Sequence, residues 1–364
     1  MIKKAGQLIL IAVLLLIPLS PATVRAADGL RMLESRVEVD FPMRVNFSLS
    51  VASDADITDI RLHYTVDRMR HAEVISEVPL DFEPAEMVDA GWGWDMRKTG
   101  GLPPGSRLSY WWTVRDAAGG ELKTDPATVQ VDDDRYPWRS LSEGLVTLYW
   151  YEGDDAFAQE LIDTAQQALA RLHSDTGAEL ESPAAIYIYA KSEDLLGAMI
   201  FPQEWTGGVA YTRFSTIAIG IPTDSLDWGK RAMTHELTHL VIHQMVFNPY
   251  NDLPTWLDEG LAMYAEGSLE PVFVNLLVKA INENKLITVR SLASPFSAYA
   301  EESILAYAQS YSLVDLLINN YGQSRMLELL NTFREGSGYD EALLKVYGFD
   351  MDGLNRLWLN YIVK

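Results

Sequence analysis

Two short stretches carry side chains able to hold a metal ion and activate water. The first is His235-Glu236-Leu237-Thr238-His239, flanked by Ala232, Met233 and Leu240. In a helix, residues four apart lie on one face a turn apart, so both imidazoles address one point. Glu236 is turned by about 100°, close enough to act on a water at that ion without binding it. The second stretch runs Leu253-Pro254-Thr255-Trp256-Leu257-Asp258-Glu259-Gly260-Leu261-Ala262 and places Glu259 twenty residues past His239. Together these are the parts of a one-zinc hydrolase site, in which three protein ligands leave a fourth position for water.

Several groups compete for the third position. His243 continues the histidine series, but in a straight helix it stands about 12 Å along the axis from His235, too far to share an ion. A third histidine six residues past His239 is ruled out because Met245 is there. Asp252 sits in a loop before Pro254. Glu259 shares a helical face with Trp256, Ala262 and Met263, an acid on an apolar face. Asp258 is turned about 100° from it, so one of the two should face the first helix and the other should not. Gly260 allows two helices to approach closely.

The elements around these stretches follow from periodicity. Residues 35–131 alternate apolar and polar, as in Val45-Phe47-Leu49-Val51, Ile60-Leu62-Tyr64-Val66 and Leu108-Tyr110-Trp112-Val114. Period-two alternation marks half-buried strands. With turns at Ser53-Asp54, Gly100–Gly105 and Asp116–Gly120, about seven short strands are expected, the number of an immunoglobulin-like sandwich. Its expected role is a spacer packed on the next domain, since such a fold implies no function by itself. Asp132-Asp133-Asp134 reads as a solvated linker at the junction. Beyond it come a strand at 146–151, a helix starting at Asp154 with Gly177 at its C-terminal cap, a strand at 185–189, a short helix at 192–199 and a strand at 216–221. Asp227 should cap the helix carrying His235, with Trp228, Leu237, Val241 and Met245 as apolar flanks. From Glu270 onward the pattern is helical. A mixed sheet followed by helices is an α+β plan.

The pair His235-Glu236-x-x-His239 and Trp256-Leu257-Asp258-Glu259-Gly260-Leu261-Ala262 resembles the gluzincin clan of zinc metallopeptidases. More narrowly it is similar to secreted bacterial proteins with a peptidase-MA-like domain, over about residues 140–360. The resemblance implies His235, His239 and Glu259 as ligands of one zinc ion per chain, and Glu236 as the general base. It also implies a thermolysin-like catalytic domain and an oxyanion donor outside the motif. In Ala306-Tyr307-Ala308-Gln309-Ser310-Tyr311, Tyr307 matches that donor's position and Tyr311 is the second choice. Related aminopeptidases hold the substrate amine with acids on an edge strand. The matching Gly207-Gly208-Val209-Ala210-Tyr211 has glycines but no acid, so an endopeptidase-like mode is expected, with the peptide held by β-addition.

The remaining composition bounds the setting. The 364 residues hold 29 basic against 51 acidic side chains, a net charge of -22. Such a surface repels phosphate backbones and anionic lipid, so nucleic acid is not an expected partner. Without cysteine, disulfides, thiolate metal sites and cysteine nucleophiles are excluded. Lys3-Lys4, the apolar run 8–17 and Val24-Arg25-Ala26 read as a signal peptide over 1–26, with no stable membrane insertion once it is cleaved. The expected organisation is leader 1–26, immunoglobulin/fibronectin-III-like β-sandwich 27–133 and metallopeptidase domain 134–364. The expected protein is exported, secreted or held at the cell surface, and cleaves peptide or protein substrates. The rival expectation is an extracellular binding or scaffold protein with an idle metal site.

Overall fold

The computed structural model describes residues 29–203, 206–250 and 252–362; the expected leader lies outside them. Seven strands come first: β1 (Arg31–Asp40), β2 (Arg44–Val66), β3 (Ser76–Pro79), β4 (Ala85–Asp95), β5 (Ser106–Asp116), β6 (Glu121–Lys123) and β7 (Ala127–Val131). They hydrogen-bond as one antiparallel sheet branched at β2. The turn expected at Ser53-Asp54 is absent, and β2 runs as a single 23-residue strand. Its register shifts between Ala52 and Ile57, where it passes from β4 toward β5. Ser53 donates to Asp116 at 2.6 Å, so these polar side chains are satisfied while the backbone stays extended. Val45, Phe47, Leu49, Val51, Ile60 and Leu62 are all buried, as the alternation requires.

The second sheet contains β8 (Arg139–Glu143), β9 (Val146–Trp150), β10 (Ala184–Tyr189), β11 (Gly208–Tyr211) and β12 (Thr216–Gly220). Its order is β11-β12-β10-β9-β8; the three central strands are parallel and both edges antiparallel. Both faces are covered, which suits near-continuous apolar strands such as β12. One face packs on α1 (Asp155–Thr176) and on the helix of His235, joining Ile186, Ile188, Ile217 and Ile219 to Leu161 and Leu240. The other presents Tyr187, Tyr189 and Ala218 to the first sheet's core. The aspartate triplet lies at this seam. Its expected solvation is wrong for Asp133, which is 1% exposed. Arg135 grips it with two nitrogens and the Tyr189 hydroxyl donates to it at 2.8 Å, so its charge is compensated where water is excluded.

The helices follow as α2 (Ser192–Leu196), α3 (Leu226–Met245), α4 (Thr255–Glu266), α5 (Pro271–Glu283), α6 (Val289–Leu292), α7 (Ala300–Tyr321), α8 (Gln323–Arg334), α9 (Tyr339–Tyr347) and α10 (Met351–Ile362). The protein is thus α+β. Gly177 caps α1 as expected, turning left-handed at φ 76°, and Asp154, expected to start the helix, is its N-cap and accepts from the Phe157 N–H. Ser225, not Asp227, is the N-cap position of α3; Asp227 lies in its first turn, where an acid still favours the positive end. Helix α4 packs between α3 and α7. Among the described residues no helix is long and apolar enough to cross a membrane.

Candidate metal centre

Helix α3 presents His235 and His239 on one face, and their Nε2 atoms stand 3.1 Å apart. Glu259 on α4 brings Oε2 to 3.4 Å from each Nε2. Side-chain exposure is 15%, 13% and 20% for the three residues. That oxygen is buried without a hydrogen-bond partner, a costly state for a carboxylate unless a cation meets it. The other ring nitrogens are engaged. Glu266 accepts from His235 Nδ1 at 2.8 Å and Asp258 from His239 Nδ1 at 2.9 Å. An ionised carboxylate can only accept, so each Nδ1 carries the proton and each Nε2 presents a lone pair. Two facing lone pairs at that distance repel unless a positive ion lies between them.

The residues present therefore fit zinc. A tetrahedral ion with ligands at about 2.0–2.1 Å has donor–donor edges of about 3.3–3.4 Å, close to the three separations here. The electrostatics agree. Burial works against a charged His235 ring, yet the adjacent carboxylates of Glu259 and Glu266 lift it to about 9. Burial likewise opposes charge on His239, but Asp258 and Glu259 hold it well above its ordinary value. Burial would raise Glu259, whereas His239 and His235 pull it down to about 2. The pocket demands positive charge, and two imidazoliums cannot both aim N–H at each other. A divalent cation meets the same demand with both rings neutral.

Glu236 points toward β11, where the Ala210 N–H bonds to it. Burial pushes its carboxyl above the usual range, with His235 and His239 opposing. A Cβ on Gly208 would lie 3.1 Å from Glu236 Cγ, so glycine lets the strand lie against this side chain. Tyr307 on α7 lines the same cleft of about 350 Å³ with His235, Glu236, Trp228, Met263 and Phe273. Its ring centroid is 6.3 Å from that of His235, and burial pushes its phenol upward. Tyr311 instead packs on Tyr264, 5.9 Å between centroids. Trp228, expected as an apolar flank, is 47% exposed and walls the cleft.

One expectation is corrected. Asp258 and Glu259 both face α3, because side chains 100° apart straddle the facing helix: Glu259 reaches the Nε2 pair, while Asp258 reaches His239 and His243, the latter at 2.9 Å. His243 is therefore outside the His235-His239-Glu259 group but joined to it through Asp258. Gly260 allows the close helix approach expected of it, and the helix it admits is α7: a Cβ there would stand 2.5 Å from the Ser310 carbonyl oxygen. Asp252, as expected, is not part of the His235-His239-Glu259 group. The sequence reading also missed Glu266. Its signal was its position two turns after Glu259 on the same helix, which puts both acids on one face.

A family model described as "Peptidase MA superfamily" matches residues 164–364. Nothing among the curated proteins compared matches the chain. Among solved structures, the chain is similar to an M1 zinc metallopeptidase from Deinococcus radiodurans, with 13% identity, TM-score 0.39, and coverage of 91% of this chain and 94% of that one. An aminopeptidase N family protein from Idiomarina loihiensis gives 11% identity and TM-score 0.40, over 86% and 73% of the two chains. A family 56 carbohydrate-binding module that binds β-1,3-glucan gives 16% identity and TM-score 0.18, over 27% of this chain and 96% of that one.

Proposed function

The chain belongs to the peptidase MA superfamily and is a peptide-bond hydrolase; from that premise we propose an exported, one-zinc endopeptidase held by His235, His239 and Glu259. The observation carrying the ligand set is the buried, partnerless Glu259 Oε2 equidistant from two facing imidazole nitrogens. On this reading, residues 27–133 form an immunoglobulin-like sandwich ahead of the peptidase domain at 134–364, and the leader ends at Ala26.

Zinc, when bound, lowers the pKa of a water to about 7 and polarises a carbonyl. Glu236 takes a proton from the attacking water and delivers it to the leaving amine nitrogen. Burial at the cleft wall raises its carboxyl, which makes it a better proton acceptor than an exposed glutamate. Tyr307 donates its O–H to the oxyanion of the tetrahedral carbon; its raised pKa keeps the phenol protonated. β11 is an edge strand, and its backbone pairs with an extended peptide. It offers no carboxylate to hold a terminal amine, which favours internal cleavage.

The test is metal analysis with a peptide-library digest, with and without chelator. Glu236→Gln should keep one zinc per chain and lose hydrolysis. Cleavage by that variant at the wild-type rate would refute the assigned base. One zinc with no cleavage by the wild type would favour the idle-site binding protein instead.

A further inference from the structure

The segment between β2 and β3 leaves the first sheet and rests at the far end of β11. The Met69 N–H donates to the Arg213 carbonyl at 2.7 Å, and the His71 ring stacks on Phe247 with centroids 4.3 Å apart. Two cavities meet there. One, of about 530 Å³, is lined by Arg68, Arg70, His71, Arg213 and Tyr250 among others. The second, of about 350 Å³, is lined by Arg213, Thr212, His243 and Asp258. Arg213 borders both, and the second cavity ends at Asp258, which accepts from His239 Nδ1 behind the metal centre.

The charge of this corner opposes that of the whole. In a chain of net charge -22, three guanidiniums line one cavity. Arg70 bonds to the Val66 carbonyl at 2.8 Å and lies 3.8 Å from Glu73. Arg68 and Arg213 are exposed and make no ion pair within 4.0 Å among the described residues. Asp252 is the carboxylate lining both cavities and offsets part of this charge. Free guanidiniums beside a cleft recognise carboxylates through paired, charge-assisted hydrogen bonds.

Strand direction says which part of a peptide meets them. A peptide pairing antiparallel with β11, the more stable geometry, has its N-terminal side at Tyr211 and its C-terminal side at Gly208. Glu236 meets β11 at Ala210. Arg213 is three residues on, in the 3-10 turn Thr212–Phe214 that ends the strand, so it stands no more than the roughly 10 Å of three extended residues away, within two to three substrate residues. We propose that Arg213 and the segment carrying Arg68 and Arg70 form a subsite for an acidic side chain two or three residues N-terminal to the scissile bond. The same charges repel a free α-ammonium. This rests on the peptidase reading above, and it gives the first sheet a part in substrate selection.

The experiment uses zinc-loaded full chain and a fluorogenic peptide that the library digest shows to be cut. Three versions carry Glu, Gln or Lys at the second and third positions before the cleaved bond. Wild type should favour Glu over Gln about tenfold in kcat/KM, less at high ionic strength. Arg213→Glu and Arg68→Glu should shift the ratio toward Lys, with circular dichroism and zinc content retained. If a charge reversal fails to fold, Arg213→Gln should still bring the ratio toward one. A second arm measures binding of the same peptides to Glu236→Gln by fluorescence anisotropy, where no turnover is needed. If the library digest yields no cut peptide, the binding arm is run on Glu, Gln and Lys versions of an uncut library peptide; binding that still favours Glu would then sink the peptidase reading and leave the subsite standing. Equal rates and equal binding for the Glu and Lys peptides, or a ratio unmoved by the substitutions, would overturn the subsite.

Discussion

Replacing Gly260 by alanine tests how the two halves of the centre are held together. Gly260 follows Glu259 on α4 and lies against α7 one turn beyond Tyr307. A Cβ at this position would stand 2.5 Å from the Ser310 carbonyl oxygen and 2.7 Å from Val314 Cγ2. Ordinary van der Waals contact begins near 3.4 Å. The valine methyl can rotate away, but the carbonyl is backbone and cannot, so α4 and α7 must part by roughly 0.9 Å or one of them must bend. Such overpacking costs about 1–3 kcal/mol. Alanine returns up to about 1 kcal/mol as the better helix former, leaving a net loss of up to about 2 kcal/mol. The displacement separates the ligand helix from the Tyr307 helix, and a shift of about 1 Å can cost on the order of a hundredfold in rate. Urea unfolding with chelator present reads the first effect without the metal contribution; kcat/KM of the zinc-loaded protein reads the second. A Gly260→Ala variant more stable than wild type, with unchanged kcat/KM, would refute the close packing inferred here.

Tyr307→Phe should lower kcat by about 10²–10³ with zinc affinity retained, whereas Tyr311→Phe should leave kcat near wild type; comparing kcat with a competitive zinc titration separates them. Asp258→Asn replaces an acceptor serving two histidines with one carbonyl and one donor, so one imidazole loses its partner. Zinc affinity should fall about 10–100-fold, and Glu266→Gln should act in the same direction at His235, both readable by titration against a chromophoric chelator. Asp133→Ala leaves Arg135, 31% exposed, facing the Tyr189 hydroxyl without its carboxylate; a loss of about 2–4 kcal/mol is expected in denaturant unfolding, with zinc affinity unmoved.

The sequence alone was enough to identify what short-range periodicity encodes. The four-residue spacing of His235 and His239 puts both rings on one face in any helix. The alternation at Val45–Val51 and Leu108–Val114 specifies strands, and Asp154 with Gly177 brackets α1, because capping depends on neighbours within a turn. Glu259 stood out as an acid on an apolar face. Contacts between elements were not legible. Whether Asp258 also faced α3 depended on the crossing of two helices, and which helix Gly260 admitted depended on where α7 packs, some fifty residues later. The burial of Asp133 depended on Arg135 and on Tyr189 from another strand, so an acidic triplet that looks solvated in isolation became part of a seam. The continuity of β2 depended on partners on both sides of Ala52–Ile57. The arginines from the first sheet stand beside Arg213 only because its β2–β3 segment folds over the end of β11. Local spacing fixes which way a side chain leaves its own element; only packing, through distances of a few ångströms between distant segments, decides what it meets.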